Sequence, residues 1–236
     1  SHLVYSNGKL FVQTDAGVES LDAGTGETVH TISYAPKADV FPVLDEGLVV
    51  GVSSDNMVYA HSEFSGQLNW AVSYEEDEVL FSPTLVNGGV VVCIQDKSSD
   101  SLRIQLLSLK TGELQWEFNH KSIDFFALSP PSAADNSLII PLKISSYTLD
   151  GDLVFKPHLV AFDLVTGEIQ WQQPILIDKE TISRPVLTDG LVFLLNHTLS
   201  PLMSYDQMTG EQVAIQWHRA IERPSELVSF RSIESS

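Results

Sequence analysis

Cysteine is almost absent from this chain, which has Cys93 alone among its 236 residues. A single cysteine excludes an intrachain disulfide and any metal site built from cysteine thiolates. Cys93 stands inside the apolar stretch at residues 90–94, which is typical of a buried strand. We therefore expect its thiol to act as a small apolar side chain and not as a nucleophile.

Long apolar runs and basic residues are also scarce. The longest apolar runs, such as residues 190–195, have the length of a strand and fall far short of the roughly 20 residues of a membrane helix. The sequence therefore predicts no transmembrane segment in this chain. Its 13 basic residues face 31 acidic ones, for a net charge of −18, and such a surface repels nucleic acid. The densest acidic run, residues 75–78, lacks the spacing of a metal cage and predicts a solvated loop.

The motifs of common catalytic sites are missing. The seven histidines are scattered, and no pair has the HExxH spacing of a zinc site. The chain contains neither a Gly-x-Ser-x-Gly elbow nor a phosphate-binding loop of the Walker kind. The sequence therefore indicates a protein that is not an enzyme, with no catalytic, cofactor-binding or metal-binding residue to name.

What the sequence does contain is a repeat: an apolar strand, a Thr-Gly or Ser-Gly turn, and then tryptophan. The clear copies are residues 58–70, 107–116 and 161–171, which end at Trp70, Trp116 and Trp171. Two weaker copies, residues 20–27 and 204–211, have His30 and Ala214 at the tryptophan position. A second turn, rich in Asn, Asp and Gly, precedes each copy and is followed by a β-branched run, the pattern of a hairpin.

The spacing of the repeat predicts its fold. The turn glycines are 40, 46, 55 and 43 residues apart, in the order Gly26, Gly66, Gly112, Gly167 and Gly210. A period in the forties accommodates four short antiparallel strands and leaves no room for crossover helices. We therefore predict an all-β protein, a β-propeller of four-stranded antiparallel blades with about five repeat units.

The repeats span residues 1–217, and residues 218–236 form a C-terminal tail. Two arrangements remain open for the five units, a closed five-bladed ring or part of a larger propeller. The tail, which contains Pro224, is compatible with a strand that closes the first blade, with a short helix or with the start of another blade.

The repeat also assigns structural roles. We expect the tryptophan rings to cover the seam to the next blade, and the turn glycines to let the backbone bend. The aspartates at the start of three turns, Asp22, Asp163 and Asp206, should brace those turns. The longest unit carries an insertion at residues 145–154 that predicts an extended hairpin with a turn at Asp150-Gly151. Because loops carry contacts more often than core strands do, Tyr147, Asp150 and Asp152 are candidate partner-contact residues.

The copy at residues 161–171 resembles the quinoprotein-type propeller repeat, roughly Ala-x-Asp-x-x-Thr-Gly-x-x-x-Trp. It matches at Ala161, Asp163, Thr166, Gly167 and Trp171, and the other copies match in part. The resemblance covers nearly the whole chain up to Trp217. It implies the propeller fold more specifically than any function, because this repeat serves several unrelated functions.

The resemblance suggests three functions. Scaffolds of the BamB type, in outer-membrane assembly, imply a non-catalytic platform for a protein partner outside the cytosol, in a periplasm, at a cell surface or in a secretory lumen. Quinone-dependent dehydrogenases imply pyrroloquinoline quinone (PQQ) and calcium, but their adjacent-cysteine disulfide is excluded here, and we expect no cofactor. Stress-sensor domains imply an ectodomain that binds ligands or dimerises. We favour the scaffold, with an oligomeric state that the sequence does not specify.

Overall fold

The computed structural model describes residues 3–37, 40–76, 78–96, 101–120, 125–147, 150–175, 182–195 and 202–213. Every regular element in these ranges is a β-strand, and the strands form five antiparallel sheets that follow one another along the chain. This architecture confirms the predicted propeller of about five blades. None of the described residues lies in a helix long and apolar enough to cross a bilayer.

The first two blades are regular four-stranded meanders. The first contains β1 (Leu3–Ser6), β2 (Lys9–Thr14), β3 (Gly17–Asp22) and β4 (Thr28–Ser33). The second contains β5 (Val43–Asp45), β6 (Leu48–Val52), β7 (Met57–Ser62) and β8 (Leu68–Ser73). In both, each strand pairs with its neighbours in sequence order.

The next two blades have an innermost edge that is split into two short strands. The third contains β9 (Glu78–Leu80), β10 (Thr84–Val86), β11 (Gly89–Asp96), β12 (Leu102–Ser108) and β13 (Leu114–His120). The fourth contains β14 (Phe125–Ala127), β15 (Ser132–Ala134), β16 (Ser137–Tyr147), β17 (Leu153–Asp163) and β18 (Ile169–Pro174). Prolines at 83, 130 and 131 fall in the interruptions, because proline has no N–H to donate to a ladder.

The fifth blade contains the described strands β19 (Val186–Thr188), β20 (Leu191–Leu194) and β21 (Met203–Asp206). The innermost strands of successive blades contact each other in chain order, β1 with β5, β5 with β10, β10 with β15 and β15 with β19. The blades are therefore arranged around a common axis lined by these strands. The C-terminal tail at 218–236 lies outside the described residues.

The core consists of four seams between successive blades. Alternate residues of β11 show how the seams form: Val90, Val92 and Ile94 pack toward the second blade, whereas Val91 and Cys93 pack toward the fourth. Because side chains alternate across a strand, an uninterrupted apolar run means that both faces of its sheet are covered. Cys93 is fully buried, as expected, and burial raises the pKa of its thiol to about 12.

The first and fifth blades each keep one face open. Leu3 and Tyr5 point away from the second blade and are 57% and 66% exposed, and Val186 of the fifth blade is 59% exposed. Within the described residues, these two faces are therefore not buried against each other in the way that the seams are.

We predict that Phe162 contributes strongly to the stability of the seam between the third and fourth blades. Its ring is fully buried and meets Phe118 edge-on at 4.9 Å between centroids. Phe162→Ala should lower the free energy of unfolding by about 3–5 kcal/mol, because it leaves a cavity. Denaturant unfolding would measure this loss. The control is Val165→Ala, at a side chain that is 74% exposed, where a change beyond about 0.5 kcal/mol is not expected.

Candidate functional site

Each tryptophan of the repeat lies on the turn glycine of the following blade. The indole Nε1 atoms of Trp70, Trp116 and Trp171 donate to the carbonyls of Leu109, Leu164 and Gln207, at 2.8, 2.7 and 2.9 Å. Each of these acceptors lies three residues before the turn glycine of the next unit, Gly112, Gly167 or Gly210. The rings approach so closely that a Cβ built on these three glycines would lie 2.5–2.8 Å from an indole carbon.

The turns that receive the indoles share one backbone conformation. Their glycines, Gly112, Gly167 and Gly210, have φ of 71–73°, and the equivalent glycines Gly26 and Gly66, which receive no indole, have φ of 75° and 69°. In the fourth blade, Asp163 Oδ1 accepts the backbone N–H groups of Val165 and Thr166 at 2.8 and 2.9 Å. These bonds hold the pKa of Asp163 below its ordinary value. Asp22 and Asp206 accept the equivalent bonds, so all three aspartates brace their turns as predicted.

The seam between the first two blades is built differently, because His30 occupies the tryptophan position. The His30 ring lies over Gly66, but neither of its buried nitrogens has a hydrogen-bond partner. The carbonyl that an indole would reach belongs to Glu63, and Lys9 Nζ donates to it instead at 3.4 Å. The buried Glu63 carboxylate accepts both of its bonds from Asn7 Nδ2, at 3.1 Å each. Polar contacts thus replace the indole at this seam.

A polar pocket of about 410 Å³ lies between the second and third blades. Arg103 lines it, forms an ion pair with Glu78 and lies 3.7 Å from Glu117. Gln105 Nε2 donates to Glu117 at 2.6 Å, and Tyr74 Oη donates to Gln105 at 2.8 Å. Burial raises the pKa of Tyr74, so its phenol remains a donor and is not a base. These groups satisfy one another, and the arrangement indicates a brace between the second and third blades.

Sequence reasoning missed this pocket and was wrong about one of its residues. Glu78 belongs to the acidic run that was expected to be a solvated loop, yet it is only 7% exposed. Glu75 and Glu76 are exposed, as that expectation required. An ion pair with a residue two strands away in the same sheet neutralises Glu78, and the run of acidic residues gives no indication of this pairing.

Among the described residues, no group of three or more histidine, cysteine, aspartate or glutamate side chains could hold a metal ion.

The insertion in the fourth blade forms the predicted long hairpin. Strands β16 and β17 pair over eleven residues each, from Ser137 opposite Asp163 to Tyr147 opposite Leu153. The outer strand β18 pairs only with residues 158–162 of β17, so the tip extends beyond the blade. Asp150 and Asp152 are exposed in the turn and Tyr147 ends β16, while Thr148 and Leu149 lie outside the described residues. The candidate partner-contact residues therefore share one projecting tip.

A pair of glycines with the same backbone conformation tests the role of the indole contact. Gly167 has φ of +73° and a Cβ added there would lie 2.8 Å from Trp116, whereas Gly26 has φ of +75° and no atom within 4 Å. Gly26→Ala should lower the free energy of unfolding by about 1–2 kcal/mol through backbone strain alone. Gly167→Ala should lose about 1–3 kcal/mol more through overpacking against the ring. Equal losses in denaturant unfolding would contradict the docking role.

His30 should make stability depend on pH. Burial, helped by the charge of Lys9, lowers the pKa of His30 below its ordinary value of 6.5. As pH falls through 6.5, the unfolded chain takes up a proton that the folded ring resists, so stability is lost toward acid. Burial also lowers the pKa of His61, which adds to the same trend. Urea unfolding between pH 8 and 5.5 should give a smaller loss for His30→Trp than for the wild type, and identical losses would exclude His30 as a source.

Comparison with known proteins assigns this repeat to a family. The family model described as outer membrane protein assembly factor BamB matches residues 14–231. A BamB protein of Moranella endobia (strain PCIT) is 20% identical over 193 residues, which make up 80% of this chain and 46% of that relative. The chain therefore spans less than half the length of this curated relative.

Two solved structures share the fold. A europium-containing methanol dehydrogenase superposes with a TM-score of 0.71 at 12% identity, over 89% of this chain and 49% of the enzyme. BamB from Moraxella catarrhalis superposes with a TM-score of 0.52 at 16% identity, over 88% of this chain and 72% of that protein. At such identities these likenesses show the propeller fold alone. The family model, which matches most of the chain, shows more: the chain belongs to the BamB family of quinoprotein-type propeller proteins.

Proposed function

We propose that this protein is a non-catalytic propeller scaffold that binds a protein partner in outer-membrane assembly, outside the cytosol. The observation that carries the proposal is the family match over residues 14–231, together with the BamB relative. The proposal includes a location outside the cytosol, because the matched family and relative are named for outer-membrane assembly.

The geometry supports a binding role. Five blades sealed by buried apolar seams form a rigid body, and a rigid platform holds its loops in place for binding. The hairpin tip offers two exposed carboxylates at Asp150 and Asp152, and Phe155 on the same hairpin is 40% exposed. An apolar ring beside acidic side chains suits a partner surface that combines a hydrophobic patch with basic residues.

The chemistry of the described residues does not fit a quinone enzyme. One buried cysteine cannot form a disulfide between neighbours, and the thiol of Cys93 is held protonated by burial. The described residues also include no carboxylate cluster for a calcium ion. We therefore propose that the protein binds no cofactor and catalyses no reaction.

The test is capture of a partner that depends on the hairpin. The purified protein, used as bait on detergent-solubilised envelope fractions of its own source, should recover an outer-membrane assembly component. Reversing two charges at the tip, with Asp150→Lys and Asp152→Lys, should reduce recovery at least fivefold. The control reverses two exposed charges in the turns at the other end of the propeller, with Glu27→Lys and Glu168→Lys, and should retain recovery.

Two results would contradict the proposal. Equal recovery by both double variants would remove the hairpin from the binding surface. No envelope partner, combined with a rise in melting temperature on addition of quinone and calcium, would favour a cofactor-binding protein, because a ligand that binds only the folded state stabilises it.

A further inference from the structure

Arg184 joins three blades at the axis of the propeller. It directly precedes Pro185 and strand β19 of the fifth blade. Its Nε donates to Ser132 Oγ at 3.1 Å, and its Nη2 donates to Thr84 Oγ1 at 2.8 Å. Ser132 and Thr84 are the first residues of the innermost strands β15 and β10. The guanidinium therefore lies where the innermost strands of three successive blades begin.

The two hydroxyl groups that receive Arg184 are themselves fixed. Thr84 Oγ1 donates to the carbonyl of Pro131 at 2.9 Å, and Ser132 Oγ donates to the carbonyl of Pro185 at 2.5 Å. A hydroxyl has only one proton to give, so each uses it on a carbonyl of the next blade and turns a lone pair toward the guanidinium. Contacts from one blade to the next thus set the orientation of the Arg184 fork.

The positive charge of Arg184 has no carboxylate partner among the described residues. The ion pairs in the described ranges join Arg103 to Glu78 and Glu117, and Lys110 to Glu46. The acceptors of Arg184 are two neutral hydroxyls, and Nη1 has no acceptor within the described part of the chain. Arg184 is exposed to solvent and so is open to a ligand, while burial of part of its side chain lowers the pKa of the guanidinium. A partly dehydrated cation with neutral partners gains free energy when an anion reaches it.

The character of the site selects the kind of anion. A planar guanidinium binds a carboxylate through two parallel N–H donors. Within the described part of the chain, no second basic side chain bonds to the hydroxyls of Ser132 and Thr84, and the chain has a net charge of −18, so the long-range field disfavours phosphate and other multivalent anions. We propose that Arg184, oriented by Ser132 and Thr84, is a binding site for a single carboxylate group at this end of the axis. A small carboxylic acid and an acidic side chain of a polypeptide share this chemistry. The inference depends on the geometry of three blades and not on the scaffold function.

Titration calorimetry with two probes tests the site and separates the two sources. The probes are glutarate and a capped peptide with one glutamate among neutral residues, with inorganic phosphate as the comparison anion. The wild-type protein should bind at least one carboxylate probe and should bind phosphate at least tenfold more weakly. Arg184→Gln should reduce carboxylate affinity at least tenfold. Lys156→Gln removes the same charge from an exposed position on β17 and should change affinity less than twofold.

Each outcome decides the proposal. Tighter binding of the peptide assigns the site to a polypeptide carboxylate, and tighter binding of glutarate assigns it to a small acid. No carboxylate binding by the wild type, equal affinity in Arg184→Gln, or equal binding of phosphate would each overturn it. If Arg184→Gln fails to fold, Arg184→Lys retains the charge without the fork and should still lose most of the affinity. Undiminished binding by that variant would also overturn the proposal.

Discussion

The structure depends on the burial of sheet faces between successive blades, which covers both faces of the three middle sheets. The middle strands of a blade, such as β11, are apolar on both faces, and neither face can be covered by the strands of the same blade. A single blade would expose a face comparable to the core of a small domain, so the unit is stable only between neighbours. Apolar burial brings the surfaces of neighbouring blades together. The hydrogen bonds at the seams fix the angle and register at which the blades meet.

The tryptophan contact shows how far the sequence could predict this arrangement. Trp116 and Gly167 each represent a residue type that recurs at a fixed position of the repeat. In a fold of stacked units, residues that recur in this way form the same contact at each seam. The prediction of seam packing needed only the period and the chemistry of a wide ring. The acceptor of the indole proton was not foreseen, because it is a backbone carbonyl and backbone groups are present at every position.

Other features lay beyond the sequence for identifiable reasons. Glu78 was expected to be solvated because its neighbours are acidic, but its partner Arg103 lies on β12, and strand register determines this pairing. Arg184 reaches residues 52 and 100 positions away, which meet only because three blades share an axis. His30 was recognised as a departure from the repeat. The substitutes for the indole, Lys9 and Asn7, belong to the Asn-Gly hairpin of the first unit, and the repeat gives no sign that this hairpin reaches Glu63 across the seam.

The seams also have a direction, which matters when the chain is made. Each indole finds its acceptor later in the sequence, by 39, 48 and 36 residues for Trp70, Trp116 and Trp171. A ribosome adds about 5–20 residues per second, so each of these three rings waits on the order of seconds for the turn that will cover it. While the second, third or fourth blade is the most recent one made, the growing chain therefore presents one uncovered tryptophan. Synthesis of these blades therefore proceeds with one exposed apolar edge, which moves along the chain as each next turn is made.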